Sequence, residues 1–310
     1  MTFASSAILI TALLLAGEAR VEQHTSAEFK AQLTVAIGLD RAWEWDDVEP
    51  AIATAVTLLD STMPDAPRPA ERAFRLAGVD VPMPRRRRDA QADYPDEALA
   101  AGVSGFVIVE ITIDPKGNVR DATVARSVPQ LDKAALKAAR KWKYEPTMVN
   151  GTAVEVRAYA AVRFGQTIEP VPSDWLEFAS FYYDQGLHQL TRSALRAAIT
   201  KAREDRERFG GYLDGRQDFP IEGVTMPVVT RTVRARYPFS AVAARVDGIV
   251  TLEAIVDKRG EVGRARVVSK PSLLDAAAVN TIMQWKLTPA SKGGSPVAMS
   301  ILAEVEFRLR

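Results

Sequence analysis

The chain has 310 residues, 47% apolar and 25% charged, the make-up of a soluble globular protein with room for about two domains. Its net charge of +1 offers no bulk attraction to a polyanion. The absence of cysteine excludes disulfides, thiolate catalysis, cysteine-based metal sites and a lipid-modified N-terminal cysteine. Charge is spread unevenly: residues 21–65 hold nine acids against two bases, 81–164 hold 14 bases and 10 acids, and 224–310 hold 13 bases and 7 acids.

Phe3 to Gly17 carries no charge and is apolar around AILITALLLA. A bilayer-spanning helix needs roughly 20 apolar residues and a secretory signal core about 7–15. With small residues at Gly17 and Ala19, the first reading is a signal peptide over 1–19. A short uncleaved anchor is the second, and a buried helix the third. Residues 20–80 follow as a helical N-terminal region and linker. From Ser26 to Ser61 the residues Trp43, Trp45, Val48, Ile52, Val56 and Leu59 recur near helical spacing, and Pro64, Pro67, Pro69, Pro82 and Pro84 stiffen the linker. Arg85–Arg88 in that extended stretch could meet phosphate, but of the matching positions later in the chain only Arg231 is basic. Nucleic acid is not the expected partner in an exported setting; a surface or lipid-headgroup contact is the other reading of these arginines, and anchoring in the membrane is expected only through the N-terminal stretch if it is uncleaved.

Shifted by 143 positions, the chain aligns with itself without a gap from 81–164 onto 224–307, with about 31 of the 84 positions identical. Tyr94-Pro95 lands on Tyr237-Pro238, Gly105 on Gly248, Asp114 on Asp257, and Gly117 on Gly260. Further on, Leu131-Asp132 lands on Leu274-Asp275, Trp142-Lys143 on Trp285-Lys286, Pro146 on Pro289 and Phe164 on Phe307. The domains are therefore 81–165 and 224–310, joined by a helical connector over 166–223.

Each copy reads as one folding unit. Tyr-Pro opens a short helix closed by Gly105. Phe106–Ile113 then alternates, with Val107, Val109, Ile111 and Ile113 on one face and Phe106, Ile108, Glu110 and Thr112 on the other. Asp114-Pro115-Lys116-Gly117 suits a β-turn, so Val119–Ala125 returns as a hairpin partner. Asp132 and Asp275 stand where an N-cap is expected. Leu131, Ala135, Ala138 and Trp142 form one apolar stripe on the helix that follows. Pro146 ends the helical run, Asn150-Gly151 and Gly293-Gly294 suit type I′ turns, and the last strands run from Val154 to Phe164 and Val297 to Phe307. The expected fold is α+β: helix–strand–strand–helix–strand twice, an antiparallel sheet with helices on one face.

These residues carry a resemblance. Tyr-Pro, the glycine about eleven residues on, Asp-x-x-Gly after the first strand, Leu-Asp-x-x-Ala, Trp-Lys-Tyr-Glu-Pro, Asn-Gly and the strand closing on Phe resemble the C-terminal domain of the TonB family. The match covers 81–164 and 224–307, more closely in the first copy; the second has Lys270-Pro271 where Ser127 stands and Leu287-Thr288 for Tyr-Glu. The resemblance implies a periplasmic, non-enzymatic protein that grips an extended segment of an envelope partner, such as a TonB-dependent outer-membrane transporter, by strand addition. It points to the last strands and the Tyr-Pro segments: Tyr94, Pro95, Val154, Val156, Tyr159, Tyr237, Pro238, Val297, Met299 and Ile301. The core reading of the tyrosines and of Trp142 and Trp285 stands beside it.

Three departures separate the chain from energy-coupling members: a short apolar N-terminal stretch without a charged residue in it, no long proline-rich spacer, and two copies of the domain. They favour a binding module over a motor. The other reading is a scaffold whose copies pair with each other or with another chain.

Residues 173–208 read as helical and end in KAREDRERFGG, a charge run expected on a solvated face. His24 and His188 are solitary, and no HExxH, GxSxG or phosphate-cradling glycine loop appears, so neither catalysis nor a cofactor or metal is expected.

Overall fold

A computed structural model describes residues 26–62, 74–95, 97–98, 103, 105–164, 171–214, 221–269 and 272–309. The apolar stretch Met1–Gly17, the prolines at 64, 67 and 69, much of the first copy's short helix, and Lys270-Pro271 lie outside them. No helix among the described residues is long and apolar enough to cross a membrane.

In chain order the elements begin with α1 (26–42), α2 (Trp45–Thr62), β1 (Arg86–Arg88), β2 (Gly105–Ile113), β3 (Val119–Arg126) and α3 (Asp132–Ala139). Next come β4 (Lys143–Tyr144), β5 (Thr147–Val149), β6 (Thr152–Val154), β7 (Val156–Phe164), α4 (Pro172–Asp184), α5 (His188–Phe209) and β8 (Leu213–Asp214). The second copy holds β9 (Val224–Thr225), β10 (Val229–Arg231), α6 (Phe239–Ala243), β11 (Gly248–Val256), β12 (Val262–Val267) and α7 (Asp275–Ile282). It ends with β13 (Lys286–Leu287), β14 (Ala290–Lys292), β15 (Ser295–Val297) and β16 (Met299–Phe307).

The chain divides into two compact units, one from residues 1–70 and 170–207, the other from 71–169 and 208–310. In the first, α1, α2, α4 and α5 share one core, in which Phe29, Leu33, Ile52, Leu59, Leu176 and Leu195 are fully or almost fully buried. The acidic front and the later charge run meet here. Arg206 pairs with Asp46 at 2.9 Å, Arg203 with Glu49 at 2.7 Å and Arg192 with Asp60 at 3.0 Å, so α2 and α5 run antiparallel. Two arginines of the run expected on a solvated face, Arg203 and Arg206, thus have acids of α2 as partners.

In the second unit each copy forms a three-stranded antiparallel core sheet with its helix on one face. The orders are β3-β2-β7 and β12-β11-β16, with α3 and α7 packed across all three strands. The expected inward face supplies the core: Val107, Val109, Ile111 and Ile113 from β2 meet Leu131, Ala135 and Trp142, and Phe164 from β7. The other face is covered as well, since Phe106 and Ile108 are buried and the Arg126 guanidinium lies 4.9 Å from the Phe106 ring centre. In the second copy Phe209 fills that outer face at Gly263, where a Cβ would fall inside its ring. Arg208 beside it binds the buried Asp257 at 2.7 Å.

The turns form as expected. Gly117 donates its N–H to the Asp114 carbonyl at 2.9 Å, while the Asp114 carboxylate accepts the N–H groups of Lys116 and Asn118. Asn150 and Gly151 have φ of 50° and 79°, and Gly293 and Gly294 of 56° and 82°, the two positive values of a type I′ turn.

Two local expectations give way. Asp132 and Asp275 are the first helical residues, not the caps, and their carboxylates accept upstream N–H groups, from Val128 at 2.9 Å and Ser272 at 3.1 Å. The final strand is also split. Val154 and Val297 belong to the β5–β6 and β14–β15 hairpins, and β7 and β16 start afresh at Val156 and Met299.

The Arg85–Arg88 stretch is no free linker. Arg86–Arg88 pairs antiparallel with Lys143–Tyr144, and the Arg86 guanidinium stacks 3.9 Å from the Trp142 ring centre. Trp142 also donates to the Ala90 carbonyl at 3.1 Å. The tryptophan plug thus ties the helix exit to the start of its own domain. Val229–Arg231 and Lys286–Leu287 repeat the ladder.

Candidate functional site

A last strand can accept another strand only on the side its neighbour leaves open. β7 bonds β2 on one side, and β16 bonds β11. On the opposite side both edges are partly occupied by the chain itself, at the start of the strand and in parallel direction. In the first copy the Arg157 N–H donates to the Arg75 carbonyl at 2.9 Å, and its carbonyl accepts from Ala77 at 2.8 Å. In the second, β8 pairs with Met299 and Ser300, and Leu213 donates to the Ala298 carbonyl at 2.9 Å. Different lead-in segments reach the same place in the two copies.

Beyond Ser300 no strand among the described residues pairs with the outer edge of β16. Backbone groups along a strand alternate in direction, so Ala298 and Ser300, which face the lead-in, set the outward series as Leu302, Glu304 and Glu306. Their side chains stand on the sheet face away from the helix, and Leu302 is 54% exposed. Glu304 and Glu306 are exposed too. On β7 the same positions, Tyr159, Ala161 and Arg163, are half-buried, so the second copy presents the more open edge.

The residues singled out from the sequence fall into three groups. Val156 and Met299 are buried, Ile301 packs against the second core, and Val154 and Val297 pack half-buried in their hairpins. The Tyr-Pro segments act as latches. Tyr94 donates its hydroxyl to the Val103 carbonyl at 2.5 Å and meets Phe164 edge-on at 5.5 Å; Tyr237 does the same with Val246 at 2.6 Å and Phe307 at 5.5 Å. Burial pushes the Tyr94 hydroxyl above its ordinary value of 10.0, so it stays a donor. Pro238 leads into α6, its carbonyl accepting from Val242, and Pro95 stands at the same place in the first copy. Only Tyr159 of the set lies on the outward series of its strand.

The outward residues Leu302, Glu304 and Glu306 were missed, although Phe307, Val305, Ala303 and Ile301 already mark the inward register by period two. Among the described residues no group of three or more histidines and acids could hold a metal ion. What this edge can do is accept backbone hydrogen bonds and donate them.

The sequence model of the family described as the Gram-negative bacterial TonB protein C-terminal matches residues 90–165 and again 233–309. Among curated proteins, the chain is similar to Protein TonB of Xanthomonas campestris pv. campestris strain B100, with 42% identity over 73 residues, 23% of this chain and 33% of the relative. It is similar also to Protein TonB of Vibrio cholerae serotype O1, with 34% identity over 76 residues, 24% of this chain and 31% of the relative. The chain thus spans about a third of the length of these relatives. The doubled fold and the doubled match agree on the same residues, and the chain belongs to the TonB family as a protein with two tandem TonB C-terminal domains.

Proposed function

We propose that this chain is a non-enzymatic component of the Gram-negative periplasm that binds an extended segment of an envelope protein, of the outer-membrane transporter kind, on the outer edge of its last strands. The observation that carries the reading is the edge of β16, unpaired beyond Ser300 among the described residues and already entered in parallel by β8. Main-chain bonds to Leu302, Glu304 and Glu306 would supply affinity, and alternate side chains of the partner, apolar against Leu302 and basic against the glutamates, selectivity. Pairing of two copies through this edge is disfavoured, because antiparallel β16 strands would set glutamates near one another.

The test is a pull-down from Gram-negative envelope extracts with the full chain and its Leu302→Pro variant. Retrieval of outer-membrane transporters by the parent and at least a tenfold loss in the variant, about 1.4 kcal/mol or more, is the expected result. Equal retrieval by both, or recovery of the chain's own copies alone, counts against it.

A further inference from the structure

The β1–β4 ladder gathers cations that lie far apart in the chain. Arg88 stands directly opposite Lys143, with Arg87 next to Arg88 and Lys141 two residues before Lys143, and all four are exposed. Like charges facing each other across an antiparallel pair weaken it. The nearby acids are engaged elsewhere: Asp89 pairs with Arg86 at 2.9 Å, Asp93 with Lys137 at 2.8 Å, and Glu145 sits 3.8 Å from Arg85.

The second copy folds the same ladder without this cluster. Thr230 stands where the first copy has Arg87, and Gln284 where it has Lys141. Lys286, the counterpart of Lys143, is held by Glu261 at 2.6 Å, and Glu261 replaces the neutral Asn118. Of the four positions, two keep a cation, Arg231 and the Glu261-paired Lys286. The fold therefore does not require the four cations. Four residues past β4, Met148 is 56% exposed where the second copy has Ser291, placing an apolar side chain beside the cations; the second copy exposes Val228 and Val229 at its ladder without such a cluster.

We infer that the β1–β4 ladder of the first copy is a docking surface for an anionic lipid bilayer. Flexible cationic side chains on a two-stranded ladder, with no cradle shaped around a single anion, match a plane of headgroup phosphates, to which each basic residue adds attraction. An exposed methionine beside them suits the boundary between headgroups and acyl chains. This contact lies outside the N-terminal stretch, on a ladder that also draws in Lys141 and Lys143 beside the arginine run.

Flotation of the full chain with vesicles tests it. The readout is the excess bound to vesicles containing phosphatidylglycerol over those of phosphatidylcholine alone. The parent should show that excess at low salt and lose it at about 1 M salt, where the screening length is about 3 Å. Arg87→Thr/Arg88→Gln/Lys141→Gln should cut it at least about tenfold. Arg234→Gln/Arg236→Gln/Lys292→Gln, with the same charge change on the second copy, should stay within about twofold. Should the triple variant melt early, Arg87→Thr/Lys141→Gln carries only residues the second copy already tolerates. No excess in the parent, an excess that survives 1 M salt, or equal loss in both variant sets overturns the proposal. So does binding to soluble polyglutamate without vesicle binding, which would assign the ladder to an acidic polypeptide.

Discussion

At Gly117 the backbone leaves no room for a side chain. Its φ is +85°, and a Cβ would land on the Tyr144 carbonyl oxygen, because Tyr144 donates its N–H to the Gly117 carbonyl at 2.7 Å. Gly260 meets Leu287 in the same way. Gly117→Ala should therefore cost about 3 kcal/mol, whereas Gly151→Ala, at φ +79° in open space, should cost about 1 kcal/mol; urea midpoints of the full chain check the difference. The sequence marks both as turn glycines. It does not show that one is pressed against a strand 27 residues on. Asp257 carries the second residue-level prediction. Burial raises its pKa, but the N–H of Glu261, the Arg208 guanidinium and the N–H of Arg259 outweigh it, holding the group below its ordinary 3.8. The folded value being the lower one, its stabilisation is complete above the unfolded pKa and is lost as pH falls through the folded one. Asp257→Asn should thus lower stability at pH 7 and reduce the loss between about pH 5 and 2, read from urea unfolding across that range.

Among the elements, the helix and first hairpin were legible because each is governed by neighbours in sequence: an apolar stripe, a turn with aspartate first and glycine fourth, a tryptophan and proline at the exit. The break at Glu155 and Ala298 was not, since Val154-Glu155-Val156 reads as one strand and only the competing β5–β6 hairpin divides it. The lead-in strands were invisible for a related reason. Leu76 and Leu213 occupy equivalent edges without lying at equivalent sequence positions, so the 143-residue shift does not align them. The inward and outward series on β16 make their own prediction. Leu302→Pro removes an N–H that faces away from β11 and should cost about 1 kcal/mol, while Ile301→Pro removes a ladder bond and should cost about 3 kcal/mol or more, both measured by thermal melting.

For the whole molecule, duplication was the most legible feature, and it carried the family and fold with it. The charge asymmetry was legible as numbers but not as structure. The acids of 46–60 find their partners in 192–206, about 150 residues away, inside a four-helix unit that the sequence presented as two unrelated helical stretches. The candidate edge was half legible. The sequence pointed to the last strands, whose outer edges are partly open, but it chose their apolar series, and that series builds the core. The central claim is that the outer edge of β16 receives a partner strand. Amide hydrogen exchange on the full chain, with and without an outer-membrane transporter recovered in the pull-down, tests it most directly. The account predicts that the amides of Leu302, Glu304 and Glu306 slow at least about tenfold on binding, a gain of about 1.4 kcal/mol of protection or more, while Ile301 and Ala303 change little. Protection confined to other surfaces, with those three amides unchanged in the complex, would contradict it.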